Sequence, residues 1–348
     1  MPTLFDIPPK HDPKLLFGRE RELTDLVKYL HEKRWTVLLG PRRVGKTSLA
    51  KCAIEKSGFD SIILDARENT DFANNLFSSL TRQSSSFKLG ANVSVPANLP
   101  FISVGANFSK QVLKQSLDSL LNERTRRTAI LLDEAQWFSD RRTLIMLLAH
   151  LYDYHYEAIT PIITGSAVGV MKSIIEPNHR SPLFGRPIMQ MEVKKWNPSV
   201  SMGFLTEGLR QHKLSLDTEL MVKTIDTLDG LPGWLTMFGY YLTAKPSDYE
   251  QALNKTLGEA LKIVDDETAN IGKIARGWQS HLKILTNLSS GSKSFSDLLE
   301  AASLTNSGLS KHLDMLQRLN YIEKKTDGRY VITDPILAEL IKRRIKKP

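Results

Sequence analysis

Apolar positions along the 348-residue chain follow two rhythms. One is a set of short, nearly unbroken runs: Trp35-Thr36-Val37-Leu38-Leu39, Ser61-Ile62-Ile63-Leu64, Thr128-Ala129-Ile130-Leu131-Leu132, Pro161-Ile162-Ile163-Thr164 and Ile188-Met189-Gln190-Met191-Glu192-Val193. Runs this short and this rich in β-branched and aliphatic residues predict buried strands. The other rhythm is helical: Leu23, Leu26, Val27 and Leu30; Phe72, Leu76, Phe77 and Leu80; Leu144, Leu147, Leu148 and Leu151. Such stripes at helical spacing predict amphipathic helices whose apolar face is core. Strands and helices alternate as in an α/β core. Beyond residue 195 strand runs give way to helices over 200–212, 217–228 and from 233, with a helical linker over 245–277. From 278 the pattern predicts helices ending at Gly291, over 295–302 and over 305–319. Two β-rich runs around Thr326-Asp327-Gly328 then predict a hairpin. Residues 84–109 lose helical periodicity and repeat a Gly-Ala-Asn triplet around a loop bounded by Pro96 and Pro100. They read as an inserted β-hairpin, with a disordered polar loop as the alternative. Four prolines within residues 1–13 predict an extended arm.

Between the first strand and the helix after it stands Gly40-Pro41-Arg42-Arg43-Val44-Gly45-Lys46-Thr47, followed by Ser48. It fits the G-x-x-x-x-G-K-[ST] phosphate-binding loop at every fixed position. The chemistry explains the spacing. Glycines let backbone N–H groups close around phosphate oxygens, and the N-terminus of the helix adds partial positive charge. Lys46 is placed to reach the β- and γ-phosphates, and the Thr47 hydroxyl to ligate Mg²⁺. Downstream, the apolar run ending in Asp133-Glu134 supplies what such a loop requires: a carboxylate, Asp133, for the hydrated Mg²⁺, and a second, Glu134, to accept a proton from attacking water.

Composition narrows the class. Hydrophobic residues at 41% and charged ones at 24% describe an ordinary globular chain. Apolar runs fall short of the ~18 residues a membrane span needs. No basic head and apolar core mark a secretory signal, and the one cysteine, Cys52, excludes an internal disulfide or thiolate cluster. A cytoplasmic protein is expected. The net charge is +9, and residues 278–348, with 12 Lys/Arg against 7 Asp/Glu, carry +5 of it. Five of those positive charges sit in Lys342-Arg343-Arg344-Ile345-Lys346-Lys347, a bias that suits nucleic acid and equally a solvated helix end.

The order of these motifs resembles the archaeal ATPase family of the AAA+/STAND P-loop NTPases. The resemblance begins at Leu16-Phe17-Gly18-Arg19-Glu20-Arg21-Glu22, similar to the box that opens those ATPases, and implies that Phe17, Gly18 and Arg19 border the adenine. It implies a γ-phosphate sensor at Thr164 or Ser166, although Ser166 also suits a helix N-cap. It implies an arginine finger at Arg186, with Arg180 second; a plain surface arginine is the alternative. Gly230-Leu231-Pro232 resembles a STAND lid step in which Pro232 touches nucleotide, where composition alone gives a turn. An AAA+ lid arginine is not evident, which favours a switch over a ring motor. The fold implied is a P-loop NTPase core with parallel sheet over 1–195, a helical lid over 196–277 and a winged helix-turn-helix over 278–348. In the last, Asn306, Ser307, Ser310, Lys311 and His312 would face a DNA groove, with Lys324, Lys325 and Arg329 at phosphates; an intramolecular clamp or protein contact is the alternative. The expected function is a Mg²⁺-dependent, slow or partner-stimulated ATPase that binds ATP and ADP and moves its winged helix, with duplex DNA or a protein as partner and no membrane. The rival is a DNA-binding regulator or replication-initiator-like protein in which ATP is a slowly hydrolysed ligand. A small-molecule kinase also uses this loop, but the Asp133-Glu134 pair, lid and winged helix argue against it.

Overall fold

In the computed structural model, which describes residues 2–68, 71–83, 117–122, 126–138, 140–165, 170–245, 248–274 and 277–346, the five apolar runs form one sheet. Its strands are β1 (Thr36–Leu39), β2 (Asp60–Asp65), β3 (Thr128–Asp133), β4 (Ile159–Thr164) and β5 (Met189–Glu192), all parallel, in the order β2-β3-β4-β1-β5. Every residue of β3 and β4 is buried, as their unbroken apolar runs require, whereas the edge strands β2 and β5 alternate between shielded and exposed positions. Alternate residues feed two cores. Leu38, Leu131 and Ile162 face the helices Glu20–His31 and Lys46–Ser57, while Val37, Ile130, Leu132 and Ile163 face the helices Phe72–Gln83 and Arg141–His155. The hairpin expected at 84–109 lies outside the described residues.

The strand order positions the site. β4 and β3 stand between β1 and β2, so the segments leaving β1, β3 and β4 meet at one end of the sheet. Those segments carry the phosphate loop, Asp133-Glu134 and Thr164. A strand order that departs from sequence order opens a crevice at the carboxyl ends of the strands, where α/β proteins bind ligands.

Helices Pro198–Gln211, Thr218–Leu228 and Pro232–Ala244 follow the sheet, two of them opened by a proline at their first position. The expected linker is the single helix Tyr249–Ile274, whose 26 residues span about 39 Å. Next come Trp278–Ser289, Phe295–Ala302, Asn306–Arg318 and the antiparallel hairpin β6 (Ile322–Lys324) and β7 (Tyr330–Ile332): a helix-turn-helix with a wing. The cationic tail, whose charge suits nucleic acid and equally a solvated helix end, is helical. It belongs to a closing helix, Pro335–Lys346, which buries Ile336, Leu337, Leu340 and Ile341 against the helices Tyr249–Ile274 and Trp278–Ser289. Apolar residues at helical spacing outweigh the charges there, and Arg343 and Arg344 pair with Glu339 and Asp265. Among the described residues no helix is long and apolar enough to cross a membrane.

The N-terminus packs as a strap instead of projecting. Leu4 and Phe5 are buried, and the Phe5 ring meets Phe204 edge-on with centroids 5.5 Å apart. It also lies so close to the backbone of the helices Pro198–Gln211 and Pro232–Ala244 that a Cβ on Gly208 or Gly239 would come within 2.2 Å of the ring. The strap ends on the helix after the phosphate loop, where the Lys10 amide donates to Ser48 Oγ at 3.1 Å. Phe5→Ala should therefore cost about 3–5 kcal/mol of stability, read as a lower urea midpoint at unchanged slope; a shift below about 1 kcal/mol would mean the strap is peripheral.

Candidate functional site

The phosphate loop turns sharply because three of its residues hold positive φ: Gly40 at 139°, Arg43 at 68° and Gly45 at 92°. At Gly40 only glycine fits, since a Cβ would lie 2.1 Å from the Val193 carbonyl oxygen. Lys46 opens the helix behind the loop and is buried; its Nζ donates to the carbonyls of Gly40 at 2.9 Å and Pro41 at 2.8 Å. Burial lowers its pKa, opposed chiefly by the charge of Glu134.

Three chain segments meet at Asp133. Thr47 Oγ1 donates to its two carboxylate oxygens at 2.9 and 3.1 Å, and Thr164 Oγ1 donates to Oδ1 at 2.5 Å. Thr164 in turn accepts from the Glu134 amide at 3.0 Å. Burial raises the Asp133 pKa, with the neighbouring Glu134 adding to it, while the two hydroxyls pull the other way. A buried carboxylate facing a hydroxyl is a hard-oxygen donor pair, so Thr47 and Asp133 fit Mg²⁺. Glu134 stands in the left-handed region at φ 53°, which turns it out of the strand direction. Burial alone would raise its carboxyl, but Lys46, Arg42 and a 2.5 Å bond from Gln136 Nε2 to Oε2 hold it below the usual glutamate range.

A cavity of about 740 Å³ opens in front of the loop, a size that suits a nucleotide. The expected residues Phe17, Arg19, Arg42, Arg43, Val44, Gly45, Lys46, Thr47, Ser48, Glu134 and Pro232 all line it. Arg19 is also a tie: its guanidinium donates to the carbonyls of Val44 at 3.1 Å and Lys194 at 2.5 Å. Gly18 is not part of the lining; it packs against Trp196 and Val200. Ser166 lies outside the described residues; the other candidate, Thr164, has its hydroxyl on Asp133. Arg186 does not join the cluster. Its guanidinium holds both oxygens of Asp153, at 2.8 and 2.6 Å, on the helix Arg141–His155, and Arg180 is exposed.

Several lining residues carry no local sequence signal. They are the strap residues Ile7–Lys10, Trp196, Thr236 and Met237, together with Arg67 beside Asp133 and Glu267 on the long helix Tyr249–Ile274. Glu267 has the largest consequence. It binds Arg42 at 2.6 Å and Arg43 at 3.0 Å, one loop arginine on each carboxylate oxygen. Two adjacent arginines inside a phosphate loop are a signal that an acidic partner must come from elsewhere in the chain. Arg43 also lies 4.7 Å from the Trp234 ring centroid, and its carbonyl accepts from the Gly233 amide at 2.9 Å, one residue past Pro232. The winged helix reaches the loop as well: Asn320 Nδ2 donates to the Gly40 carbonyl at 3.3 Å. His312, expected in a DNA groove, instead packs on His281 with nitrogens 3.3 Å apart. Asn306, Ser307, Ser310, Lys311, Lys324, Lys325 and Arg329 remain exposed.

A family model described as an ATPase domain predominantly from Archaea matches residues 16–238, and one described as bacterial regulatory protein, arsR family, matches residues 279–324. No curated protein matches the chain in sequence. Among solved structures it is similar to the Walker-type ATPase Paby2304 of Pyrococcus abyssi, at 27% identity and TM-score 0.79, covering 97% of this chain and 99% of that one. It shares its fold with the ORC2 protein of Aeropyrum pernix in ADPNP–ADP complexes, at 14% identity and TM-score 0.63, covering 98% of each. The same holds for the ORC1 protein of Aeropyrum pernix in complex with DNA, at 14% identity and TM-score 0.53, covering 98% and 96%.

Two outcomes test this geometry. Gly40→Ala should leave a folded protein that no longer binds a fluorescent ATP analogue, because the loop cannot keep its path beside Val193; wild-type affinity would refute that constraint. Asp334, whose Oδ1 caps the closing helix at the Ile336 amide, is raised from 3.8 to about 6, first by burial and then by Glu267. The folded chain thus holds this proton where the unfolded chain has lost it, so stability falls as pH rises from about 4 to about 6 and levels off above. Asp334→Asn keeps the cap and should remove that fall, about 2–3 kcal/mol in urea melts compared at the two ends of the window; parallel pH profiles for wild type and variant would exclude Asp334 as its source.

Proposed function

The chain belongs to the family of ATPase domains found predominantly in Archaea, and from that premise we propose that it is a nucleotide-gated switch of the STAND type. ATP binds at residues 40–48, is hydrolysed slowly, and its presence is passed through the lid to the winged helix. The observation that carries the proposal is the Glu267 bridge to Arg42 and Arg43. A carboxylate from the lid neutralises two cations in the loop that must receive polyphosphate. Phosphate oxygens and Glu267 therefore compete for the same guanidinium groups, and the outcome sets the position of the helix Tyr249–Ile274 against which the closing helix packs.

Lys46 and the loop amides hold the phosphates. Mg²⁺, when bound with ATP, neutralises charge on the β- and γ-phosphates, and Thr47 and Asp133 are the residues that would hold it. Glu134 stays ionised at neutral pH, and Gln136 fixes its Oε2, so Oε1 is the oxygen aimed at a water proton. Thr164 ties Asp133 to the Glu134 backbone and keeps the two carboxylates in register. Pro232 presses on the cavity beside Arg43 and serves as the lid contact. The role of Arg186 is set by its pairing with Asp153, which keeps it for the fold unless a neighbouring subunit draws it off.

A second reading is supported by the exposed face of the helix Asn306–Arg318 and by Lys324, Lys325 and Arg329 on the wing. The winged helix docks on the loop through Asn320 while leaving its groove-reading face free. Duplex DNA on that face would couple to the nucleotide. Steady-state ATP hydrolysis by wild type, Glu134→Gln and Glu267→Gln, with and without duplex DNA at low salt, separates the readings. Glu134→Gln should bind ATP and turn over roughly 10²–10⁴-fold more slowly; undiminished turnover removes Glu134 from the chemistry. Glu267→Gln should bind ATP several-fold more tightly, and unchanged or weaker affinity would sink the competition. Stimulation by DNA that fades with added salt would make DNA the partner; indifference to DNA directs the search to a protein.

A further inference from the structure

A second cluster of ligand-type side chains lies away from the nucleotide. His150 and His155 are on the last turns of the helix Arg141–His155, and Asp118 is in the helical segment 117–122 that precedes β3. Both imidazoles aim the same nitrogen at one oxygen: His150 Nε2 is 2.7 Å and His155 Nε2 is 2.6 Å from Asp118 Oδ1. The histidine side chains are 8% and 5% exposed, whereas that of Asp118 is 35% exposed. The cluster is therefore buried on its imidazole side and open on its carboxylate side. Its place in the fold is fixed by the backbone. The Ala158 amide donates to the His155 carbonyl at 3.0 Å, and the Thr128 amide to the Ala158 carbonyl at 2.9 Å, so His155 sits where β3 and β4 begin. The phosphate loop lies at the other end of those strands, about 20 Å away.

We propose that Asp118, His150 and His155 form a binding site for a transition-metal dication, Zn²⁺ by the chemistry of its donors. One ligand atom from each residue lies within 4.8 Å of the others. Two imidazoles and one carboxylate are the donor set that suits Zn²⁺, and three protein ligands leave a fourth position for water on the open side. The surrounding charges agree. Arg186 is taken by Asp153 and Lys33 by Glu157, and among the described residues Asp118 makes no ion pair with lysine or arginine. Among the described residues the two imidazoles are the groups that meet the carboxylate. The Nε2 lone pairs of His150 and His155 and one Asp118 oxygen would be the ligands. The bound ion joins the segment before β3 to the turn before β4, stapling the two strands whose far ends carry Asp133 and Thr164.

The full-length protein, stripped with EDTA, would be titrated with Co²⁺ and then with Zn²⁺. One equivalent of Co²⁺ should give the visible bands of four-coordinate cobalt and be displaced by one equivalent of Zn²⁺. Asp118→Asn and His155→Gln should each weaken the binding at least tenfold, while Asp133→Asn leaves it unchanged. X-ray absorption of the zinc-loaded wild type reads the ligands without any variant, and should show the outer-shell scattering of two imidazoles. No four-coordinate cobalt spectrum, zinc spectra lacking imidazole, or binding lost in Asp133→Asn and kept in Asp118→Asn would overturn the proposal and leave the triad as a hydrogen-bonded brace.

Discussion

A buried carboxylate has to be answered by its surroundings, and the response to Asp133 organises the centre of this protein. Burial works against its charge, and two hydroxyls from separate segments, Thr47 and Thr164, compensate by donating to it. Those bonds exist only because β4 stands between β1 and β3, which brings three strand ends together. The same constraint sets the distance between the phosphate loop and Glu134, since the Glu134 amide is held by the hydroxyl that serves Asp133. Fold and chemistry are joined at one residue.

Around that centre the cations of the loop are shared. Lys46 is satisfied by the loop's own carbonyls, while Arg42 and Arg43 reach outward to Glu267. Half-buried guanidinium groups paired with one carboxylate form a stronger contact than a surface ion pair, because solvent screens them less. The same two guanidinium groups and Glu267 line the cavity in front of the loop. Glu267 supplies the opposite charge, acting on arginines that belong to the loop itself.

The winged helix has two unlike faces. Asn320 and the closing helix hold it to the loop and to the long helix Tyr249–Ile274, while Asn306, Ser307, Ser310 and Lys311 and the wing residues Lys324, Lys325 and Arg329 stay in solvent. The N-terminal strap contributes another wall, tying the helix Pro198–Gln211 to the helix behind the loop through Phe5 and Lys10.

Much of this architecture was legible in the sequence because it is encoded locally. The phosphate loop, the strand ending in Asp133-Glu134, the helical stripes and the Asp-Gly wing turn are each contiguous, and short-range sterics and burial periodicity determine them. Features that depend on distant residues were not legible. Glu267 meets Arg43 across 224 positions and Asn320 meets Gly40 across 280. No periodicity signals such pairings, and the prolines of the strap hid a buried Phe5 behind the composition of a loop. The tail, whose charge suited nucleic acid and equally a solvated helix end, is a helix whose four apolar residues pack on the helices Tyr249–Ile274 and Trp278–Ser289, and Arg186 pairs with Asp153. Sequence alone determined which chemistry the loop can perform. Tertiary structure decided which charges face it, because Coulombic partners are chosen by proximity in space, and proximity is a property of the packed chain.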